Sequence, residues 1–249
     1  PESLVAPLDG VDAAYYLVHS LGSADFAAKD AIAARAFSKA AAAAGVGRII
    51  YLGGLGADSV DLSAHLRSRR EVESLLGADG VPVTVLRAAV VIGHRGISWE
   101  ITRQLVDHLP AMVAPRWVKT LTQPIALVDV VRYLVGVLEP EAARGRIFEV
   151  GGPDVLNYAQ MLQRVAMIRY HRRLPIVILP LLTPGLSSRW LALVTDVDTA
   201  TGRNLIDSMT NEVVVRGPSI SEIVPGSALG YDDAVRLALA ARQEDVNAT

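Results

Sequence analysis

The sequence contains no cysteine among its 249 residues. Disulfide bonds, thiolate zinc sites, iron–sulfur clusters and cysteine nucleophiles are therefore excluded. The five histidines show neither the H-x-x-x-H nor the H-E-x-x-H spacing, so no metal site is predicted. A G-x-S-x-G motif is also missing, which removes the usual signature of a serine hydrolase.

Charge of either sign is not in excess, because the formal net charge is -2. No basic stretch predicts nucleic-acid binding. The longest apolar run, from Leu174 to Leu186, is interrupted by prolines. It is shorter than the roughly 20 apolar residues that a membrane-spanning helix needs. No signal peptide is recognised near Pro1, and we expect a cytoplasmic protein whose partner is a small-molecule substrate.

Apolar strands alternate with helices along the chain. Their continuous apolar character predicts a parallel sheet covered on both faces, a Rossmann-like doubly wound α/β fold. We expect this domain over residues 1–153 and a smaller, mostly helical substrate-side region over 154–249. The predicted strands are 13–18, 48–52, 82–87, 146–150 and 173–180, and the predicted helices are 25–44, 63–76, 98–109, 127–138, 158–168, 186–193, 199–208 and 232–242.

The predicted strand at 13–18 is apolar on both sides, yet no clear strand precedes it. An unprotected strand of this kind at a sheet edge favours aggregation. We therefore expect an N-terminally truncated sheet that lacks two leading βα units, each of roughly 30 residues. The missing initiator methionine agrees with a fragment or a processed chain. Association into a homo-oligomer is the alternative way to cover this edge.

Several motifs in a fixed order carry a family resemblance. They are YYLVHSLG, RIIYLGGLG, HLRSR, VPVTVLRAAVVIG, PRWVKTLTQPIALVDV and FEVGGPDVLNY. Over nearly the whole chain they resemble the atypical short-chain dehydrogenase/reductase family, in its NmrA-like and YbjT-like group. The resemblance implies NAD(P)H binding and oxidoreductase activity on a small, hydrophobic substrate. Because such families also include sensors and structural subunits, a non-catalytic redox sensor or scaffold subunit stays open as the alternative.

Two motifs of that family are missing. The G-x-x-G-x-x-G loop brings the backbone close to the pyrophosphate, and without it we predict weak or no NAD(P)H binding by this chain alone. The Tyr-x-x-x-Lys pair is replaced by His65 and Arg69, which are the candidate catalytic residues. Two alternatives remain for this pair, namely lining the cofactor without catalysis and an inert position on a solvated helix.

The cofactor-binding candidates lie at three strand ends, where ligands bind in open α/β sheets. The resemblance places the first group beside the adenine and ribose, and the other two beside the nicotinamide. The plain alternatives are a strand-to-helix cap for the first group and a tight turn for the second. Arg87 can bind a phosphate or a carboxylate, or form an ion pair between domains. The candidates are Val18, His19, Ser20, Leu52, Gly53, Gly54, Arg87, Ala88, Ala89 and Val90.

The segment from Ile176 to Trp190 is apolar and rich in proline. This composition suits contact with a membrane surface, a hydrophobic ligand or another protein. A lid over the substrate pocket and a dimer face are the alternatives for the same segment.

Overall fold

The computed structural model describes residues 2–23, 25–57, 61–179, 195–196 and 198–248. Helices and strands alternate through this part of the chain. In chain order the elements are α1 (Val5–Leu8), β1 (Ala13–Tyr16), α2 (Phe26–Ala43), β2 (Arg48–Gly54), α3 (Ala64–Leu76), β3 (Val83–Ala88), β4 (Val91–Ile92), α4 (Ile97–His108), β5 (Met112–Ala114), β6 (Leu121–Thr122), β7 (Ile125–Ala126), α5 (Leu127–Gly136), β8 (Ile147–Val150), β9 (Leu156–Asn157), α6 (Tyr158–Tyr170), β10 (Ile176–Ile178), α7 (Thr199–Ser208) and α8 (Tyr231–Ala248).

The central sheet has the strand order β1-β2-β3-β8, and its pairings are parallel. Tyr16 stands opposite Tyr51, and Leu52 stands opposite Leu86. The parallel arrangement places the carboxyl ends of these strands along one edge of the sheet. The α/β fold predicted from the alternation of apolar strands and helices is confirmed.

Helices cover both faces of the sheet. Successive side chains of a strand point to opposite faces, so each strand contributes to a cluster on either side. Ile49 packs with residues of α2 and α3, among them Ala34 and Val72. Its neighbour Ile50 packs in a second cluster, with Val130 of α5 on the other face. Burial on two sides explains why the strands are apolar without interruption.

A third cluster lies beyond the sheet and joins α4, β5, α6, α7 and α8. Trp99 of α4 and Met161 of α6 are fully buried there, together with Val235 of α8. Residues from both sides of position 153 therefore share this cluster. The domain boundary predicted after residue 153 stays a prediction. In the structure, α4 from the first predicted domain packs with the C-terminal helices.

Some predicted element ends differ from the structure. The helix predicted from residue 98 begins at Ile97 after Gly96, so Ser98 lies inside its first turn. The last helix is longer than its pattern indicated and extends to Ala248. The strand expected at 173–180 is reduced to β10, which pairs with β5. The helix expected at 186–193 lies outside the described residues, as does most of the apolar segment that ends at Trp190.

Strand β1 lies at the edge of the sheet and, in the described part of the chain, pairs only with β2. Leu17 and Val18 follow it and are exposed. The expectation that this edge favours self-association keeps its physical basis, and the homo-oligomer stays a prediction. Among the described residues, none of the helices combines the length and the apolar character that crossing a membrane requires.

Candidate functional site

A cleft of about 390 Å³ opens where the carboxyl ends of β1, β2 and β3 meet. Helices α3 and α7 close its sides. A cleft at this edge is the usual ligand site of an open α/β sheet, and its volume lies within the range of small-molecule sites. The structure brings together most of the residues singled out from the sequence. Those that line the cleft are His19, Leu52, Gly53, Gly54, His65, Arg69, Ala88, Ala89 and Val90.

Three candidates lie outside this lining. Val18 is exposed, and the carbonyl of Ser20 accepts a hydrogen bond of 2.9 Å from the Ser23 amide in a local turn. The Arg87 side chain points to the opposite face of the sheet from Ala88, because side chains alternate along β3. There its Nη2 lies 2.8 Å from Glu73 Oε2. Arg87 thus forms an ion pair between β3 and α3 instead of facing the cleft.

Gly53 and Gly54 are the last residues of β2, so the alternative of a tight turn at this position is wrong. A Cβ added to Gly54 would lie 2.9 Å from Leu66 Cδ2. The missing side chain therefore lets α3 pack against the strand end. Arg70 of the same helix donates hydrogen bonds to the carbonyls of Gly54 and Gly56, which fixes the backbone beyond the strand.

His65 and Arg69 lie one turn apart on α3 and contact each other in the cleft. Arg69 Nε donates to His65 Nε2 at 3.4 Å, and His65 Nδ1 lies 3.1 Å from the hydroxyl of Ser208. A guanidinium has no acceptor, so the Nε2 atom carries the lone pair and the proton is on Nδ1. The Ser208 hydroxyl donates in turn to the carbonyl of Asn204. Both ring nitrogens of His65 are therefore engaged.

The surroundings of His65 strongly disfavour its charged form. Burial lowers the pKa of His65 to about 4, and the positive charge of Arg69 and the neighbouring His19 act in the same direction. The imidazole is therefore neutral at neutral pH and has no proton on Nε2 to donate. This arrangement favours the alternative in which the pair lines a ligand site over the one in which His65 passes a proton.

The cleft also contains residues that the sequence did not reveal. Ser208 is the last residue of α7, Met209 and Val213 come from the segment after it, and Tyr158 is the first residue of α6. They are far from the strand ends in sequence, and no spacing or motif links them to that site. Of these, Tyr158 is set by a capping box, in which Asn157 and Gln160 bond each other's backbone amides.

No protein-family model matches this chain, and no curated protein gives a significant match. Solved structures match it at low sequence identity. The NADPH-dependent quinone oxidoreductase of Escherichia coli, in complex with NADPH, is 18% identical with a TM-score of 0.74, covering 94% of this chain and 79% of that one. The Citrobacter triphenylmethane reductase, in complex with NADP(H), is 15% identical with a TM-score of 0.73, covering 96% and 80%.

A third structure extends the likeness to another reaction class. The UDP-glucose 4-epimerase of Thermotoga maritima, with UDP-glucose, is 14% identical with a TM-score of 0.72, covering 98% of this chain and 82% of that one. Identities this low show a shared fold. The chain thus has the Rossmann-like α/β fold of these reductases and of this epimerase.

Proposed function

We propose that this chain is an NAD(P)H-binding oxidoreductase of the atypical short-chain dehydrogenase/reductase type, acting on a small hydrophobic substrate. The observation that carries the proposal is the cleft at the carboxyl ends of β1 to β3, in which the predicted strand-end residues converge around Arg69. Two of the structural neighbours are reductases, one named for a quinone and one for triphenylmethane. Their structures are complexes with NADPH and with NADP(H). Their likeness to this chain supports the choice of a nicotinamide cofactor.

The residues of the cleft suit the nicotinamide and ribose half of the cofactor. Arg69 offers a positively charged donor for ribose hydroxyls, and Gly53 and Gly54 contribute to the cleft lining at the strand end. The sequence contains no G-x-x-G-x-x-G loop for the pyrophosphate. When bound, NAD(P)H supplies a hydride. In this proposal His65 is a positioning residue, since its Nε2 holds the Arg69 side chain in the cleft.

Binding of the nicotinamide and ribose half of the cofactor can be measured on this chain. We expect NADPH and reduced nicotinamide mononucleotide to bind with similar, weak affinity, because only their shared half meets a built site. Arg69→Met is expected to weaken both about tenfold, the effect of losing a charged hydrogen bond. Titration of the dihydronicotinamide fluorescence gives the dissociation constants.

Arg67→Met is the matched control, because Arg67 lies on the same helix and is exposed outside the cleft lining. It should leave both affinities unchanged. If neither nucleotide binds saturably, the proposal is contradicted. The alternative is then a binding or scaffold protein without a cofactor. Equal losses in both variants would point to a surface charge effect and would also count against the cleft.

A further inference from the structure

A second cavity, of about 500 Å³, lies beside the cleft. It is enclosed by α4, β5, α6 and α7, and aliphatic and methionine side chains form most of its wall, for example Leu105, Met112 and Met161. None of its described lining residues carries a charge. Ordered water in a cavity needs two to four polar partners, and the side chains of this wall offer few polar groups, those of Thr102, Trp117 and Tyr158. The chemistry of the cavity therefore favours an apolar occupant.

The cavity and the cleft meet at two side chains, Tyr158 and Met209, which line both. Of the other side-chain donors in the cavity wall, Thr102 already donates to the carbonyl of Ser98 at 2.9 Å, whereas the buried Nε1 of Trp117 has no hydrogen-bond partner among the described residues. Burial raises the pKa of Tyr158, so its phenol stays protonated and can donate its hydrogen. A polar group of an occupant would thus find donors at Tyr158, at the junction with the cleft, and at Trp117, whose ring centroid lies 5.9 Å from that of Tyr158.

We propose that this cavity binds the apolar body of an uncharged molecule, whose single hydrogen-bond-accepting oxygen lies at Tyr158. A charged molecule is excluded because an unpaired charge in an apolar cavity carries a large desolvation cost. The cavity volume corresponds to a compact molecule of one or two rings or a short chain. The identification of this molecule as the substrate rests on the proposed function, since Tyr158 also borders the cleft assigned to NAD(P)H. The binding of an apolar molecule does not depend on that assignment.

Two fluorescent probes test the proposal in the absence of any nucleotide. Prodan is an uncharged naphthalene that bears a ketone, and dimethylaminonaphthalene is its analogue without the ketone. Both are expected to bind saturably with a blue-shifted emission. Filling the cavity by Ala114→Phe is expected to weaken both at least tenfold, because the added ring takes the volume that the probes need. If both probes bind the variant as tightly as the unchanged chain, the cavity is not their site and the proposal fails.

A second cavity variant and a surface control guard against misfolding. Ala111 is exposed at the rim of the cavity, so Ala111→Phe should fold normally and still weaken both probes. Ala142→Phe makes the same change at an exposed position that does not line the cavity, and it should leave binding unchanged. Equal probe binding in Ala111→Phe and Ala142→Phe would overturn the proposal.

The hydrogen bond from Tyr158 has its own readout. Tyr158→Phe is expected to weaken prodan about three- to tenfold, the usual effect of one lost hydrogen bond. Dimethylaminonaphthalene should keep its affinity, because it has no ketone. Equal changes for both probes would contradict the role of the hydroxyl. Probe binding without NADPH binding would support the cavity and reject the proposed function, so the two failures are distinguishable.

Discussion

Replacing Glu73 by alanine is expected to lower the free energy of unfolding by about 3 kcal/mol, the effect of breaking a buried ion pair. The Glu73 carboxylate accepts from Arg70 at 2.9 Å and from Arg87 at 2.8 Å. The Glu73 and Arg87 side chains are only 8% and 10% exposed. Removing the carboxylate leaves two guanidinium groups without the negative charge that joins α3 to β3. Urea denaturation at neutral pH measures the change.

Glu71→Ala provides the matched control, because it removes the same side chain from the same helix. Glu71 faces Arg35 at 3.9 Å in an exposed pair. Exposed pairs of this kind contribute between about 0 and 1 kcal/mol. A difference of less than 1 kcal/mol between the two variants would contradict the structural role assigned to Glu73. It would also reopen the interpretation in which Arg87 serves a ligand.

The sheet could be predicted from the sequence because burial on both faces leaves a simple signal. The segments around Ile49 and Val85 are apolar at consecutive positions, and a helical pattern follows each of them. The short strands β4 to β7 and β9 gave no such signal. Each contains two or three residues, for example Val91–Ile92, so no periodicity can develop. These strands pair with segments that are distant in sequence, for example β4 with β7, so their pairing depends on the tertiary fold.

The candidate site could be predicted in position but not in detail. The carboxyl ends of parallel strands meet at one edge, so the residues after β1, β2 and β3 had to lie near each other. The direction of one side chain depends on register, since a shift by one residue reverses its face. Arg87 was expected to close its strand, whereas the strand extends to Ala88 and Arg87 faces α3. The contribution of α7 depends on tertiary packing alone.

The neutral state of His65 leads to a stability that depends on pH. Its pKa is lowered in the fold to about 4 from an ordinary value of 6.5. Between these values the unfolded chain binds more protons than the folded one, so stability rises with pH. The contribution is complete above pH 6.5 and is lost as the pH falls towards 4. A shift of this size corresponds to at most about 3 kcal/mol.

His65→Asn removes one titrating group and should therefore reduce the slope of the stability profile between pH 6.5 and 4, while His19, whose pKa burial also lowers, keeps its own contribution. His171→Asn is the matched control, because His171 is exposed and has a positive φ of 51°, which asparagine tolerates. It should keep the dependence of the unchanged chain. Urea midpoints across this pH range give both profiles. If His65→Asn and the unchanged chain lose stability in parallel, His65 is accommodated as a cation, and the hydrogen bond from Arg69 to its Nε2 cannot be present in solution.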